Sequence, residues 1–336
     1  MYLNDQIEIR GSNGGADALE NYFLRNEIKV RRIYAPKGIF LQYKNRVVDV
    51  GFLRYMEFFP ELKLILDKAK KTKISEGLVL GMSFGRDAIF ENMIHRKIIN
   101  LAVSAQDFYY DWCALKVAKQ SQKHFKFIIQ TVAPFSFRYD ESMSKTKDDN
   151  IRFYYSFYGT AHNNQRIAGE IEHYEEEKRK FNELFYGITD WNEVSQNMWD
   201  EYFLSTTNVL NYNYEKKFDE DKISQEEINI IKRQYKKPFE ETILENKRIL
   251  YGMFEKTQNT RVLFFLPPLT NCYKKIWNEE YYIETKKLIN EISSRIGASV
   301  LDMTSEVYKD DYFRDSMHLN REGAILVAEI INEWIG

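Results

Sequence analysis

The chain has 336 residues, 44% hydrophobic, 29% charged and 15% aromatic, enough for one large domain or two ordinary ones. Its 6 Pro and 15 Gly exclude collagen-like, disordered and low-complexity classes. With 48 basic and 50 acidic residues the net charge is -2, so no global positive surplus points to nucleic acid.

The N-terminus, MYLNDQIEIRGSNGG, has no basic stretch followed by an apolar one, and no run approaches the ~18–20 apolar residues of a membrane-spanning helix. Neither a signal peptide nor an integral segment is expected, and the expected location is cytoplasmic. Cys113 and Cys272 lie far apart without metal spacing and read as buried thiols of a reducing compartment.

In chain order, residues 1–73 contain Ile7, Ile9 and the run IYAPKGIFLQY, which predict a few strands, followed by a helix over 54–70. This part is expected to form an extension packed on the main domain. From residue 74 the pattern becomes regular. GLVLGM (77–82), IINLAVS (98–104), FKFIIQTVAP (125–134), TRVLFFLPP (260–268) and ASVLDM (298–303) are short apolar runs. Between and after them stand helical patterns: SFGRDAIFENMIH directly after the first run, 107–123, 241–256, 279–295 and 321–334. Continuous apolar strands alternating with amphipathic helices predict a flavodoxin-like three-layer α/β sandwich, with a five-stranded parallel sheet built from 74–135 and 246–336. Residues 136–245 interrupt the alternation. They are too long for a structureless loop and carry the aromatic runs YYSFYG, LFYGITDW and NYNY. They are expected to be a mostly helical insertion, a lid or cleft wall.

Ligands of parallel sheets bind beyond the carboxyl ends of the strands. There the first strand reaches Gly81-Met82-Ser83 and a helix opens. Gly81 permits a tight turn, and Ser83 either projects its hydroxyl into the site or simply caps the helix. After the fifth strand, DSMHLN places Asp315 three residues before His318. That step lets a carboxylate hold the imidazole Nδ1 and leaves Nε2 to accept a serine proton; the competing reading is a turn with a capping aspartate. Arg86 beside Ser83 is a candidate anion ligand or a surface ion pair, and Asn271 in LPPLTNCY is a candidate substrate contact. His162 and His173, with Glu170 and Glu172 nearby, show no metal-ligand spacing, and GMSFGR lacks the Lys-Ser/Thr ending of a phosphate loop.

Ser83 after the first strand and DSMHLN after the fifth resemble the SGNH (GDSL-like) hydrolase superfamily. They are most similar to its divergent branch of DltD-like and alginate-acetylation-like proteins of bacterial envelopes and polysaccharides. The resemblance spans about 74–135 and 245–336. It implies Ser83 as nucleophile, His318 as general base, Asp315 as its orienting partner, and the backbone N–H groups of Ser83 and Ala105 as oxyanion donors. Two departures stand out: Met82 replaces the Asp of the usual Gly-Asp-Ser, and QTVAPFSF lacks the Asn that supplies a further oxyanion donor. Gln106, Gln130 and Asn163 are the candidate substitutes. The resemblance implies a serine esterase or acyltransferase acting on a carbohydrate or small-molecule ester, with no metal or cofactor and no nucleic-acid partner. The alternative is a noncatalytic carbohydrate-binding or assembly protein that keeps the fold. The oligomeric state has no signature in these residues.

Overall fold

The computed structural model describes residues 6–12, 14–35, 38–51, 60–71, 75–122, 124–144, 148–198, 200, 212–235, 240–255 and 259–336. Residues 36–37, 54–59 of the expected first helix, 123, 211 of the NYNY run and 256 lie outside the described residues.

The chain opens with β1 (Ile7–Arg10), α1 (Gly14–Arg25), β2 (Val30–Ile33), β3 (Phe40–Tyr43), β4 (Arg46–Asp49) and α2 (Pro60–Lys71). There follow β5 (Gly77–Leu80), α3 (Ser83–Ala88), β6 (Ile98–Asn100), α4 (Phe108–Ser121) and β7 (Phe127–Thr131). Next come α5 (Asp148–Tyr158), α6 (Gln165–Leu184), α7 (Trp191–Met198), α8 (Gln225–Gln234) and α9 (Glu240–Phe254). The chain closes with β8 (Arg261–Leu266), α10 (Asn271–Ile276), α11 (Glu279–Ile296), β9 (Ser299–Asp302) and α12 (Arg321–Ile335). Among the described residues no helix is long and apolar enough to cross a membrane.

These elements form two compact units, Met1–Lys63 with Ser142–Asn211, and Leu64–Glu141 with Tyr212–Gly336. In the first, a four-stranded sheet of order β2-β1-β3-β4 pairs β1 with β2 in parallel and is otherwise antiparallel. Ile7 and Ile9 are buried while Glu8 and Arg10 stay partly exposed, the period-2 pattern of a sheet covered on one face. Its core is aromatic: Phe185 meets Phe181 at 4.7 Å and Phe23 at 5.6 Å, and Trp191 packs edge-on to Phe181 at 5.5 Å. Part of the aromatic surplus is therefore core packing within this unit.

The second unit holds five parallel strands in the order β6-β5-β7-β8-β9. β5 and β7 are buried at every position, because helices cover both faces. Val79, Ile129, Leu263 and Phe265 pack with Val327 and Ile331 of α12 on one side. On the other, Phe264 meets Phe254 of α9 at 5.8 Å, and α9 lies against α4 and α11. This is the expected three-layer α/β sandwich. The chain leaves β5 toward β6 and then returns to β7 on the opposite side. The resulting switch point, where a crevice opens at the strand ends, falls directly after β5.

Helical spacing extended the first core helix through Ile94; the structure ends it at Ala88. Ile89 is extended, and the Asn100 side-chain amide donates to the carbonyls of Ile89 (2.7 Å) and Gly85 (3.3 Å). The Gly85 carbonyl still accepts the Ile89 N–H at 3.1 Å, so the helix stops where the Ile89 backbone turns extended, and a single 3₁₀ turn follows at Glu91–Met93.

The turn into α3 depends on glycine. Gly81 has a φ of +130°, and a Cβ there would stand 2.8 Å from Thr131 Cβ and 3.0 Å from the Thr131 carbonyl oxygen. Gly81→Ala therefore combines backbone strain with overpacking and is expected to destabilise by about 2–4 kcal/mol in urea unfolding. A loss below about 0.5 kcal/mol, the range of a neutral surface substitution, contradicts this account of the turn.

Candidate active site

Ser83 is the first residue of α3. The helix N-cap is Met82, which makes no side-chain cap bond, so the serine hydroxyl is not spent on capping. Its Oγ lies 2.8 Å from His318 Nε2, across 235 positions of sequence. His318 Nδ1 in turn stands 2.9 and 3.0 Å from the two oxygens of Asp315. Because the carboxylate only accepts, Nδ1 carries the proton, and the Nε2 lone pair faces the serine hydroxyl. Phe84 lies against the imidazole, ring centres 5.4 Å apart.

The loop carrying Asp315 and His318 is closed at its base. Phe313 and Leu319 pair as an isolated bridge, and the Arg314 N–H donates to the His318 carbonyl at 2.9 Å. Inside it Asp315 Oδ1 accepts the N–H groups of Met317 (2.9 Å) and His318 (2.8 Å). Below, the Asn320 side chain caps α12 by accepting the Gly323 N–H at 3.0 Å and donates to the Asp311 carbonyl at 2.6 Å. Burial acts to raise the Asp315 carboxyl. The charge and hydrogen bond of His318, the Arg314 guanidinium and the Met317 N–H outweigh it and hold the group well below the usual carboxylate range.

Residues 92–336 match the family described as DltD protein, a stretch that includes Ala105, Asp315 and His318 and begins after Ser83. The chain belongs to the DltD protein family. No curated protein matches it. Among solved structures, a lipase/acylhydrolase from Enterococcus faecalis is similar at 11% identity, covering 77% of this chain and 95% of that chain with a TM-score of 0.34. A gut microbial diltiazem-metabolizing enzyme is similar at 12% identity, covering 79% of this chain and 47% of that chain with a TM-score of 0.36.

In this DltD-family chain the remaining candidates fall differently. Ala105 occupies a turn closed by the Gln106 N–H on the Val103 carbonyl (3.2 Å), with a φ of +59° that alanine rarely adopts. The backbone there is bent in the way a glycine would usually allow. Gln106 and Gln130 are engaged with Asp111. Both are buried and donate Nε2 at 2.7 Å to the carboxylate of Asp111, so neither offers a free side-chain donor beside Ser83. Asn163 belongs to the other compact unit, where its N–H donates to Ser142 Oγ at 3.2 Å. Asn271 opens α10, just past the carboxyl end of β8.

Arg86 is neither exposed nor unpaired. It grips Asp87 through Nε (2.7 Å) and a terminal nitrogen (2.9 Å), and donates to Ser104 Oγ (2.5 Å) and the Tyr212 hydroxyl (2.9 Å). Asp87, fully buried, also accepts from the Tyr214 hydroxyl at 2.9 Å and from Arg314 at 2.6 Å. The other terminal nitrogen of Arg314 lies 3.2 Å from Asp315 Oδ2. Asp87, Arg314, Tyr212 and Tyr214 were not singled out by sequence reasoning. The available signal was the dipeptide Arg-Asp, which occurs beside the serine (Arg86-Asp87) and again beside the histidine (Arg314-Asp315).

Asp111 lies behind the turn. Its carboxylate accepts the Gly81 N–H at 2.9 Å besides the two glutamine amides. Burial pushes it up to about 7, against the pull of Gln106, Gln130 and the Gly81 N–H. A carboxyl raised in the folded state contributes stability that is present below its unfolded pKa, near 3.8, and lost as pH rises toward about 7. Asp111→Asn stays neutral throughout. Its stability relative to the parent is expected to climb between about pH 4 and pH 7 and to level above that, read by denaturant unfolding across the range. A constant difference at every pH contradicts the raised carboxyl.

Proposed function

We propose that the protein is a serine-dependent acyl-transfer enzyme, an esterase or O-acyltransferase, with Ser83 as nucleophile, His318 as general base and Asp315 as the residue that orients and charges the base. The observation that carries this reading is the continuous hydrogen-bonded order Ser83 Oγ, His318 Nε2, His318 Nδ1, Asp315. Each spacing is within proton-transfer reach. Membership of the DltD protein family supports a hydrolytic or acyl-transfer function in cell-envelope modification. The complete three-residue order favours this reading over a noncatalytic carbohydrate-binding or assembly role.

In the proposed reaction His318 Nε2 takes the Ser83 proton while Oγ bonds to the ester carbonyl carbon. The carbonyl π pair moves to oxygen, where the N–H groups of Ser83 and Ala105 stabilise it. As the oxyanion collapses, the bond to the alkoxy leaving group breaks, and that group takes the proton from Nε2–H. The acyl group remains on Ser83. Water or a second hydroxyl, losing its proton to His318 Nε2, then bonds to the acyl carbon; on collapse the Ser83 Oγ–acyl bond breaks and Oγ takes the proton back from Nε2–H. Water as acceptor gives hydrolysis; a hydroxyl of a carbohydrate or small molecule gives transfer. The chemistry needs no metal or organic cofactor, because the imidazole and the backbone donors handle both proton and charge.

The test is a fluorophosphonate probe followed by mapping of the adduct, together with turnover of p-nitrophenyl acetate. The adduct is expected on Ser83, and Ser83→Ala and His318→Ala are each expected to lower turnover by ~10⁴-fold or to background. Turnover unchanged in both variants, with no adduct on Ser83, rejects the reading.

A further inference from the structure

We propose that Arg314, anchored by Asp87, is a positioning residue of this site: its guanidinium fixes the second oxygen of Asp315 and sets the charge that His318 meets. The proposal rests on the reading of Ser83 as nucleophile. It adds an ion-pair bridge that joins the serine helix to the histidine loop.

The geometry assigns each group a separate task. Asp315 Oδ1 is already held by two backbone N–H groups of its own loop. Oδ2 meets the imidazole at 3.0 Å and Arg314 at 3.2 Å, so the arginine is the partner besides the imidazole that resists turning of the carboxylate plane about its last bond. Arg314 has its own anchor, the 2.6 Å bond to Asp87, which sits on α3 four residues after Ser83. Asp87 is fixed by Arg86 and Tyr214, and Tyr212 lies over both guanidiniums, 4.0 Å from Arg86 and 4.9 Å from Arg314. Any relative shift of α3 against the histidine loop would have to stretch this bridge. Lysine cannot replace it, because a single ammonium is a point charge and does not span two carboxylates as a planar fork does.

The charges alternate. Around His318 stand Asp315 and Arg314 from its own loop, and Asp87 and Arg86 from α3, with the Tyr214 hydroxyl on Asp87 and the Tyr212 ring against the arginines. Ser83 and Phe84 are the uncharged neighbours on α3. Removing the Arg314 charge leaves a more negative surrounding that favours the imidazolium. Removing the Asp87 charge does the reverse. A residue that merely supported the fold would not give opposite displacements.

The experiment measures the second-order rate of fluorophosphonate labelling of Ser83 against pH in the full chain, with folding checked by circular dichroism. Arg314→Gln is expected to slow labelling about tenfold near neutrality and to move its acid-side fall to higher pH by roughly half to one unit. Asp87→Asn is expected to move that fall to lower pH. Arg314→Lys keeps the charge and loses the fork, so its fall stays near the parental pH while the rate is only partly regained. Where a single variant leaves a buried charge unpaired and fails to fold, the pair Asp87→Asn with Arg314→Gln removes both charges together. That double variant is expected to label about tenfold more slowly with a near-parental acid-side fall. A parental rate in the double variant, or an acid-side fall that stays in place in both charge-removing variants, overturns the proposal. Absence of any Ser83 adduct in the parent protein instead rejects the underlying assignment of the nucleophile.

Discussion

The contact on which the site depends is the approach of the β5–α3 turn to Thr131 at the end of the neighbouring strand β7. Gly81 meets it with a φ of +130°, and four residues later a Cβ on Gly85 would stand 2.4 Å from Thr131 Oγ1. Two residues without side chains let a strand stop and a helix begin within about one turn of the adjacent strand, at the point where the sheet order reverses. Ser83 sits between them. Had either position carried a Cβ, the helix would stand further from the sheet. The 2.8 Å spacing to His318 could not then survive without movement of the histidine loop. That loop is packed as closely: a Cβ on Gly323 would be 2.3 Å from the Tyr312 carbonyl oxygen, so the first turn of α12 lies directly on the loop's base.

Between these two fixed parts lies a group of buried charges whose cost is offset only by completeness. Asp87 is fully buried and receives hydrogen bonds from two arginines and a tyrosine. Burial acts to raise its carboxyl; the Arg86 hydrogen bonds and the fields of His318, Arg86 and Arg314 outweigh this and hold it below its ordinary value. Two arginines facing two aspartates make the cluster neutral overall, which limits the desolvation penalty that isolated buried ions would carry. The alternation also fixes geometry, because each guanidinium offers a planar fork rather than a point charge.

Much of this was legible in the sequence because it is local or periodic. The five apolar runs became β5–β9, and the alternation with helices gave the parallel order. Ser83, Asp315 and His318 stood out because strand ends and an Asp-x-x-His step are short-range patterns. The Arg-Asp pairs were not legible in the same way. Two adjacent charged residues at a helix end look like a solvated surface pair, and only the fold brings Arg314 to Asp87 across 227 positions. Gln106 and Gln130 show a different limit. Sequence places an amide near a strand end, yet the direction of that amide is decided by Asp111 on α4, whose buried carboxylate outcompetes any use on the open side. The overextended first helix shows the same limit: Ile89 to Ile94 keeps helical spacing, while the Ile89 backbone is extended and its carbonyl accepts from the Asn100 side chain.

The engagement of both glutamines bears on how charge is stabilised in the proposed reaction. With these two amides committed to Asp111, the proposed oxyanion donors are the backbone N–H groups of Ser83 and Ala105, and each such donor is worth on the order of 3 kcal/mol. Backbone donors do not reorient as side chains do, so their value depends on how firmly the two turns that carry them are held. Asp111 meets that requirement from behind. One of its oxygens accepts the N–H of Gly81, two residues before Ser83, and the amide of Gln106, the residue after Ala105. A single buried carboxylate thus ties together both backbone segments that carry the proposed oxyanion donors. The Gln106 amide acts by holding the Ala105 turn to that carboxylate, and the Gln130 amide by fixing the carboxylate's other oxygen.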